Sequence, residues 1–211
     1  MALGTAWLVA WIIRSAEVVA ENSAELNRLD REIGDGDHGE NMERGFSAAA
    51  DRVRELPPES SPAEVLKLVA TTLISNVGGA SGPLYGTAFL RASVAVADNA
   101  ELDGSALAAL LEAARDGIVS RGKAEVGDKT MVDAWAPAAQ AALDASADGE
   151  TEAAILHAAA VAADRGSKST DDLVARKGRA SYLGERAIGH RDPGSVSTTL
   201  LLRAAADTAQ S

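Results

Sequence analysis

The sequence predicts an all-α fold: eight helices running alternately up and down as an antiparallel bundle or barrel. Apolar residues recur at helical spacing along most of the chain. No run of alternating β-branched residues suggests a strand. Aromatics make up 3% of residues and alanine is abundant, a composition suited to helices packed closely through small side chains.

Helices are expected over 5–31, 40–55, 62–76, 83–98, 105–120, 130–146, 150–166 and 195–209. Trp7 and Trp11, four apart on the first, read as core staples. Pro137 inside the sixth is expected to kink it. His157, within "AILHAAAV", reads as a helix-packing residue. The stretch 170–189 is ambiguous. Thr170 with Asp171 and Asp172 has the form of a capped helix start, and Gly178 and Gly184 then interrupt it. No internal repeat or low-complexity linker divides the chain, so residues 1–211 are expected to form one domain, long enough to bury roughly 70% of its unfolded surface.

The net charge of −11 and pI near 4.7 argue against nucleic acid or an anionic membrane as partner. The apolar run "AWLVAWII" is too short to span a bilayer and lacks a signal-peptide layout. With no cysteine, disulfides and thiolate metal sites are excluded, and a reducing cytoplasm is the expected compartment.

The connections divide into two kinds. Those after the second, fourth and sixth helices, "PPESSP", "DNAELDGS" and "DASADGE", are ordinary polar turns. Those after the odd-numbered helices contain "GDGDHGEN", "NVGGASGP", "RGKAEVGDKT" and "RKGRASYLGERAIGHRDPGS". In an antiparallel bundle with short loops all four fall on one rim, each leading into a helix N-terminus. Such termini favour anions, and glycine lets backbone approach a ligand closely.

That rim carries Asp30, Asp35 and Asp37. Two like charges about 5 Å apart cost on the order of 3 kcal/mol at an effective dielectric near 20. The carboxylates therefore either splay into water as a plain turn or gather around a cation. Carboxylates, helix N-termini and Lys/Arg side chains on one rim suggest a phosphate ligand bridged through divalent cations, magnesium being the natural one. Other motif matches fail. "GDGDHG" fits a dinucleotide fingerprint but follows no strand. "GIVSRGKA" lacks the P-loop hydroxyl, with Ala124 in its place. Counting twelve from Asp30 or Asp35 reaches Asn41 or Phe46 instead of the EF-hand glutamate. Pro83 breaks a nucleophile elbow around Ser81. His38, between the carboxylates and Gly39, reads as a ligand contact, whereas Lys177 and Arg179 could equally be helix-end charges.

Four strings, "LDREIGDGDHGENMERGF", "VGGASGPLYG", "SRGKAEVGDKTMVDAW" and "ARKGRASYLGERAIGHRDPGS", together resemble the DhaL family, the nucleotide-binding subunits of dihydroxyacetone kinases. They occur in the same order and cover nearly the whole chain. The resemblance implies an eight-helix antiparallel barrel with nucleotide at one end. It makes Asp30, Asp35 and Asp37 ligands of two magnesium ions on the nucleotide phosphates. His38, Gly39, Glu40 and Asn41 would touch the nucleotide, and Ala80 and Ser81 would meet its phosphates. Gly122 and Met131 would fall in the adenine pocket, while Arg179, Asp192, Pro193 and Gly194 complete the contacts and Arg179 serves catalysis. The metal ligands show no departure from the family pattern; Gly36 and Glu40 stand where the family varies.

The implied reaction phosphorylates dihydroxyacetone bound covalently through a histidine of a separate DhaK-like subunit, in keeping with the lack of any sugar-site motif here. The expected donor is a DhaM-like phosphoprotein of a phosphotransferase system, with ADP as resident cofactor and ATP as its phosphorylated form. An ATP-dependent kinase of dihydroxyacetone or another short keto-sugar is the alternative, as is a non-catalytic nucleotide-sensing subunit. The sequence leaves open whether two copies form a homodimer.

Overall fold

The computed structural model describes residues 3–210. Eight α-helices form: α1 Thr5–Ile33, α2 His38–Arg54, α3 Pro62–Asn76, α4 Ser81–Ala95, α5 Gly104–Gly122, α6 Val132–Ala147, α7 Glu152–Ser169 and α8 Pro193–Thr208. Each packs on its neighbours in sequence and α1 packs on α8, so the helices close into a ring. Short connections between consecutive packed helices give the up-and-down order the sequence predicts. Among the described residues there is no strand, only an isolated bridge between Leu3 and Leu102, and no helix is long and apolar enough to cross a membrane.

The ring is filled mainly by aliphatic and alanine side chains, with a thin aromatic seam. Trp7 and Trp11 stack at 5.4 Å, Trp11 meets Phe89 at 5.6 Å, and Phe46 meets both Phe89 and Tyr85 edge-on. Both indoles find acceptors on α8: Trp7 Nε1 donates to Ala205 O and Trp11 Nε1 to Leu201 O, at 3.2 and 2.8 Å. The two residues read as core staples are buried and fasten α1 to α8, where the ring closes.

The two ends of the bundle start their helices differently. The three helices entered from the plain turns cap themselves, whereas α1 starts at Gly4 without a side-chain cap. Ser61 and Glu64 make a capping box on α3, Asp103 accepts from Ala106 N on α5, and Thr151 accepts from Ala154 N on α7. At the other end, the N-cap residues of α2, α4 and α6 make no side-chain cap. The expected helix ends shift most on this rim. Helix α1 runs on to Ile33, α2 and α4 each begin two residues early, and α7 runs on to Ser169. The ambiguous stretch resolves into a 3₁₀ turn at Thr170–Asp172 and a 3₁₀ segment at Arg179–Ala187, broken at Gly184 with φ of 58°. Thr170 therefore opens only a single turn. His157, expected to pack, lies on the exposed face of α7.

Helix α6 is continuous from Val132 to Ala147 with Pro137 inside it. The proline has no N–H, so the Asp133 carbonyl lacks its usual partner one turn later. Helix α7 approaches there through Gly166, where an added Cβ would lie 2.1 Å from Asp133 O and 2.9 Å from Pro137 Cγ. Backbone cannot yield as a flexible side chain would. Gly166→Ala is expected to cost about 2 kcal/mol as overpacking, a fall of roughly 4–8 °C in Tm for a chain of this size. Thermal unfolding of the two proteins measures it; an unchanged Tm would show that the α6–α7 contact is loose.

Candidate functional site

The loop between α1 and α2 is organised by one carboxylate oxygen. Asp30 sits in the last turn of α1, nearly buried, and its Oδ2 accepts from the amides of Gly36, Asp37 and His38 at 2.8, 3.0 and 3.3 Å. One turn earlier, Asn27 Oδ1 accepts from Gly39 N and Glu40 N at 2.7 and 3.2 Å. Two side chains of α1 thus take the first three amides of α2. The loop folds this tightly because Gly36 adopts φ of 80° and because a Cβ on Gly34 would lie 2.1 Å from Asp30 Oδ1.

The consequence is a cluster. Oxygens of Asp30, Asp35 and Asp37 lie within 4.8 Å of one another, with Asp35 and Asp37 exposed. Arg179, on the 3₁₀ segment between α7 and α8, reaches across to Asp35 with Nη2–Oδ2 of 2.8 Å. Three converging carboxylates with one cationic neighbour suit a hard divalent cation with oxygen ligands, such as magnesium.

These groups open onto a cleft of about 860 Å³, counting its mouth. Its wall draws on every connection of this rim: Asp35 and Asp37, Gly78 to Ser81, Lys129 to Met131, and both Lys177 to Ala180 and Asp192 to Gly194. The one-rim expectation is met. A second cavity of about 810 Å³ shares Ala80, Leu84, Thr130, Met131, Lys177 and Gly178 with it, and adds Pro83, Ile118, Gly122 and Val132. The first is lined by charge and backbone, the second largely by apolar side chains. A ligand with an anionic end and a flat apolar end would match the pair.

The candidate residues do not all face this space. Asn41, Ala80, Ser81, Met131, Arg179, Asp192, Pro193 and Gly194 line the cleft, and Gly122 and Met131 line the apolar cavity. Gly39 and Glu40 line neither; they hold α2 on α1. A Cβ on Gly39 would lie 2.0 Å from Ser23 O, and Glu40 Oε1 accepts from Asn27 Nδ2 at 3.3 Å. His38 lines the cleft but is buried, and both ring nitrogens meet protein hydroxyls: Nε2 to Ser197 Oγ at 2.9 Å and Nδ1 to Ser81 Oγ at 3.2 Å. With Ser197 Oγ donating to Gly194 O, Nε2 is the donor and Nδ1 accepts from Ser81. Burial pushes the imidazole down to about 4 against the pull of Asp30, Asp37 and Asp35, so it is neutral near pH 7. His38 joins the N-terminal ends of α2, α4 and α8.

The expected set of open helix N-termini also narrows. Those of α2 go to Asp30 and Asn27. On α6, Val132 N donates to Thr130 Oγ1, and Asp133 accepts from the loop amides of Gly127 and Thr130. On α8, Asp192 Oδ2 accepts from Ser195 N at 2.6 Å. Of the four helices that begin on this rim, α4 alone among the described residues starts with no side chain on its first amides, immediately after the glycines of the 76–83 loop. Sequence reasoning missed Asn27, whose signal is its place one turn before Asp30, and Lys129, which stands in the "GDKT" string without having been given a role. Lys129 is buried and lines the cleft.

Comparison with known proteins agrees with this geometry. The DAK2 domain family matches residues 32–207. The ADP-binding subunit DhaL of the PEP-dependent dihydroxyacetone kinase of Escherichia coli strain K12 is 42% identical over 203 residues, covering 96% of each chain. The DhaL subunit of PEP-dependent dihydroxyacetone kinase 1 of Listeria innocua is 45% identical over 203 residues, again 96% of each chain. Among solved structures, the dihydroxyacetone kinase of C. freundii in complex with AMP-PNP and Mg2+ superposes with a TM-score of 0.74 at 25% identity, over 98% of this chain and 34% of that longer one. By sequence and by fold the chain belongs to the DAK2-domain family and, within it, to the DhaL subunits.

Proposed function

We propose that this chain is the ADP-binding subunit of a dihydroxyacetone kinase of the phosphoprotein-dependent type, working in the cytoplasm. The observation that carries the reading is the carboxylate cluster of Asp30, Asp35 and Asp37 opening onto a cleft that continues into an apolar cavity. Relatives named as PEP-dependent, matched over 96% of their length, support the donor type.

In this reading Asp30, Asp35 and Asp37 would hold two magnesium ions, with Asp30 also fixing the loop that presents the other two. Bound magnesium neutralises the nucleotide phosphates and makes the terminal one transferable. The Ala80–Ser81 end of the glycine loop offers amides to those phosphates, with the Ser81 hydroxyl oriented by His38. Asn41 is turned by Arg44, whose Nη2 donates to its Oδ1 at 2.5 Å and whose Nε donates to Asn76 O at 2.8 Å. That pairing fixes the glycine loop against α2. Gly122 and Met131 form part of the base pocket, and Asp192, Pro193 and Gly194 close the opposite side. Arg179, 68% exposed in its side chain, stands where a second protein would bring its phosphoryl group or hydroxyl. Its planar fork can span two phosphate oxygens. A DhaK-like subunit carrying dihydroxyacetone and a DhaM-like phosphoprotein are the proposed partners at this rim.

Asp35→Asn and Asp37→Asn are expected to leave the helical circular-dichroism spectrum intact and to weaken ADP binding in the presence of magnesium by ~10²-fold. Calorimetric titration measures this; wild-type affinity in both variants would remove the metal cluster from the site. Arg179→Lys keeps the charge but loses the fork, so turnover with the two partner proteins should fall further than nucleotide affinity. Equal, unchanged values would make Arg179 a surface charge. The donor is tested on freshly purified protein, which should release ADP when denatured. A chelator should release the ADP and lower Tm together, since ligand at a thousandfold excess over Kd adds about 4 kcal/mol to stability. Nucleotide-free protein that turns over on ATP alone would identify an ATP-dependent kinase instead.

A further inference from the structure

Among the described residues the cleft wall holds one buried cation, and the proposed reaction gives it no task. Lys129 is 1% exposed and among the largest fully buried side chains of the chain. Its φ is 62°, a left-handed backbone that non-glycine residues seldom adopt. The loop imposes that conformation on both sides: the Asp133 carboxylate accepts from Gly127 N and Thr130 N at 2.5 and 2.7 Å, and Asp128 Oδ2 accepts from Glu125 N at 2.9 Å. A lysine in a loop normally extends into water. This one is turned inward, and its Nζ donates to the carbonyl of Thr170.

Thr170 is fully buried at the end of α7 and serves two elements at once. Its carbonyl takes Lys129, while its Oγ1 accepts from Asp192 N at 3.1 Å and donates to Ser167 O at 2.7 Å. Asp192 is the N-cap of α8 and the first residue of the turn lining the cleft opposite the carboxylate cluster. The same two segments are tied a second time, by Arg176 N donating to Asp128 O at 3.0 Å. Across the cleft wall, Gly194 lies against Met131, where a Cβ would sit 3.4 Å from Met131 Cβ.

We propose that Lys129 is a positioning residue of the nucleotide site: through Thr170 it fixes the turn of Asp192, Pro193 and Gly194, and so the start of α8, against the wall made by Thr130 and Met131. The proposal rests on the reading of the cleft as a magnesium–nucleotide site. Electrostatics points the same way. Burial pushes the Asp192 carboxyl up to about 7, its bond from Ser195 N opposes this, Asp133 and Asp30 add to it, and Lys129 draws it down. Burial lowers the Lys129 pKa, and Asp192, Asp171, Asp172 and Asp133 hold it up. Lys129 is therefore the buried cation set among these carboxylates, of which Asp171 is also paired with Arg191 at 2.6 Å.

The test is calorimetric titration of ADP at saturating magnesium, with Tm recorded for each protein. Lys129→Met keeps the aliphatic stem and removes the donor; its affinity should fall about tenfold or more, the effect typical of groups that orient a site from behind. Thr170→Val removes the acceptor for Asp192 N and should fall similarly. The double variant should lose no more than the larger single loss, because both break one chain of contacts. The chain has no cysteine, so Lys129→Cys carries a single thiol. Alkylated while unfolded with 2-bromoethylamine and then refolded, it regains an ammonium at lysine length and should regain affinity; the carbamidomethyl adduct should not. Phe89→Leu, a core change, should lower Tm without altering affinity. Wild-type affinity in Lys129→Met, fully additive losses, or equal recovery by both adducts would overturn the proposal. Should Lys129→Met not fold, wild-type affinity in Thr170→Val would overturn it alone. Failure of the wild-type chain to bind ADP with magnesium would overturn the site reading and this proposal with it.

Discussion

One carboxylate oxygen organises the rim of this bundle. Asp30 Oδ2 gathers the amides of Gly36, Asp37 and His38, and in doing so turns the chain from α1 into α2 within a few residues. The turn brings Asp35 and Asp37 back over Asp30, to within 4.8 Å. Left to water, three carboxylates at such separations would spread. Backbone hydrogen bonds to the innermost one hold the cluster in place, so the fold supplies the geometry and leaves the repulsion to be met by cations. Arg179 meets part of it through Asp35.

The bundle separates stability from chemistry by end. The helices entering from the plain turns carry their own caps, and local sequence there completes local structure. On the other rim α2 borrows its partners, Asn27 and Asp30, from α1, while α8 keeps its own cap in Asp192; His38 links the hydroxyls of Ser81 and Ser197, and Tyr85 bonds Ser197 in turn. A helix start satisfied by a residue of another helix forms only when the two helices pack, here α1 with α2. The site is thereby tied to tertiary structure, and the Trp7 and Trp11 bonds to α8 that close the ring also support the cleft.

Much of the fold was legible because helical periodicity and end signals are local. Apolar periodicity and the contrast between polar and glycine-rich connections sufficed to place the helices and put the unusual loops on one rim. The carboxylate cluster was legible because Asp30, Asp35 and Asp37 lie within eight residues of one another. What escaped notice depends on contacts distant in sequence. The Lys129–Thr170 bond spans 41 positions and the His38–Ser197 bond 159. A lysine inside a polar loop carries no periodicity to mark it as buried. Gly39 and Glu40 are nucleotide contacts only by the family resemblance; in the fold their place on α2 sets Gly39 against Ser23 and Glu40 against Asn27 of α1. The 170–189 stretch resisted assignment because its glycines punctuate 3₁₀ turns, too short to show a period.

Charge balance explains why the remaining wall of the cleft takes the form it does. The chain carries a net charge of −11, and Asp30, Asp35, Asp37 and Asp192 all line the proposed phosphate end. An anion entering here without cations would meet repulsion from every side except Arg179, Lys177 and the start of α4. The protein's own positive groups lie at the edges: Arg179 and Lys177 exposed at the mouth, Lys129 buried in the wall. None occupies the centre, among the three carboxylates. A lysine there would neutralise the cluster permanently and leave no room for an exchangeable ion. With cation charge confined to the periphery, the proposed reading would couple entry of an anionic ligand to divalent metal, because only the two together would cancel the field that the aspartates create.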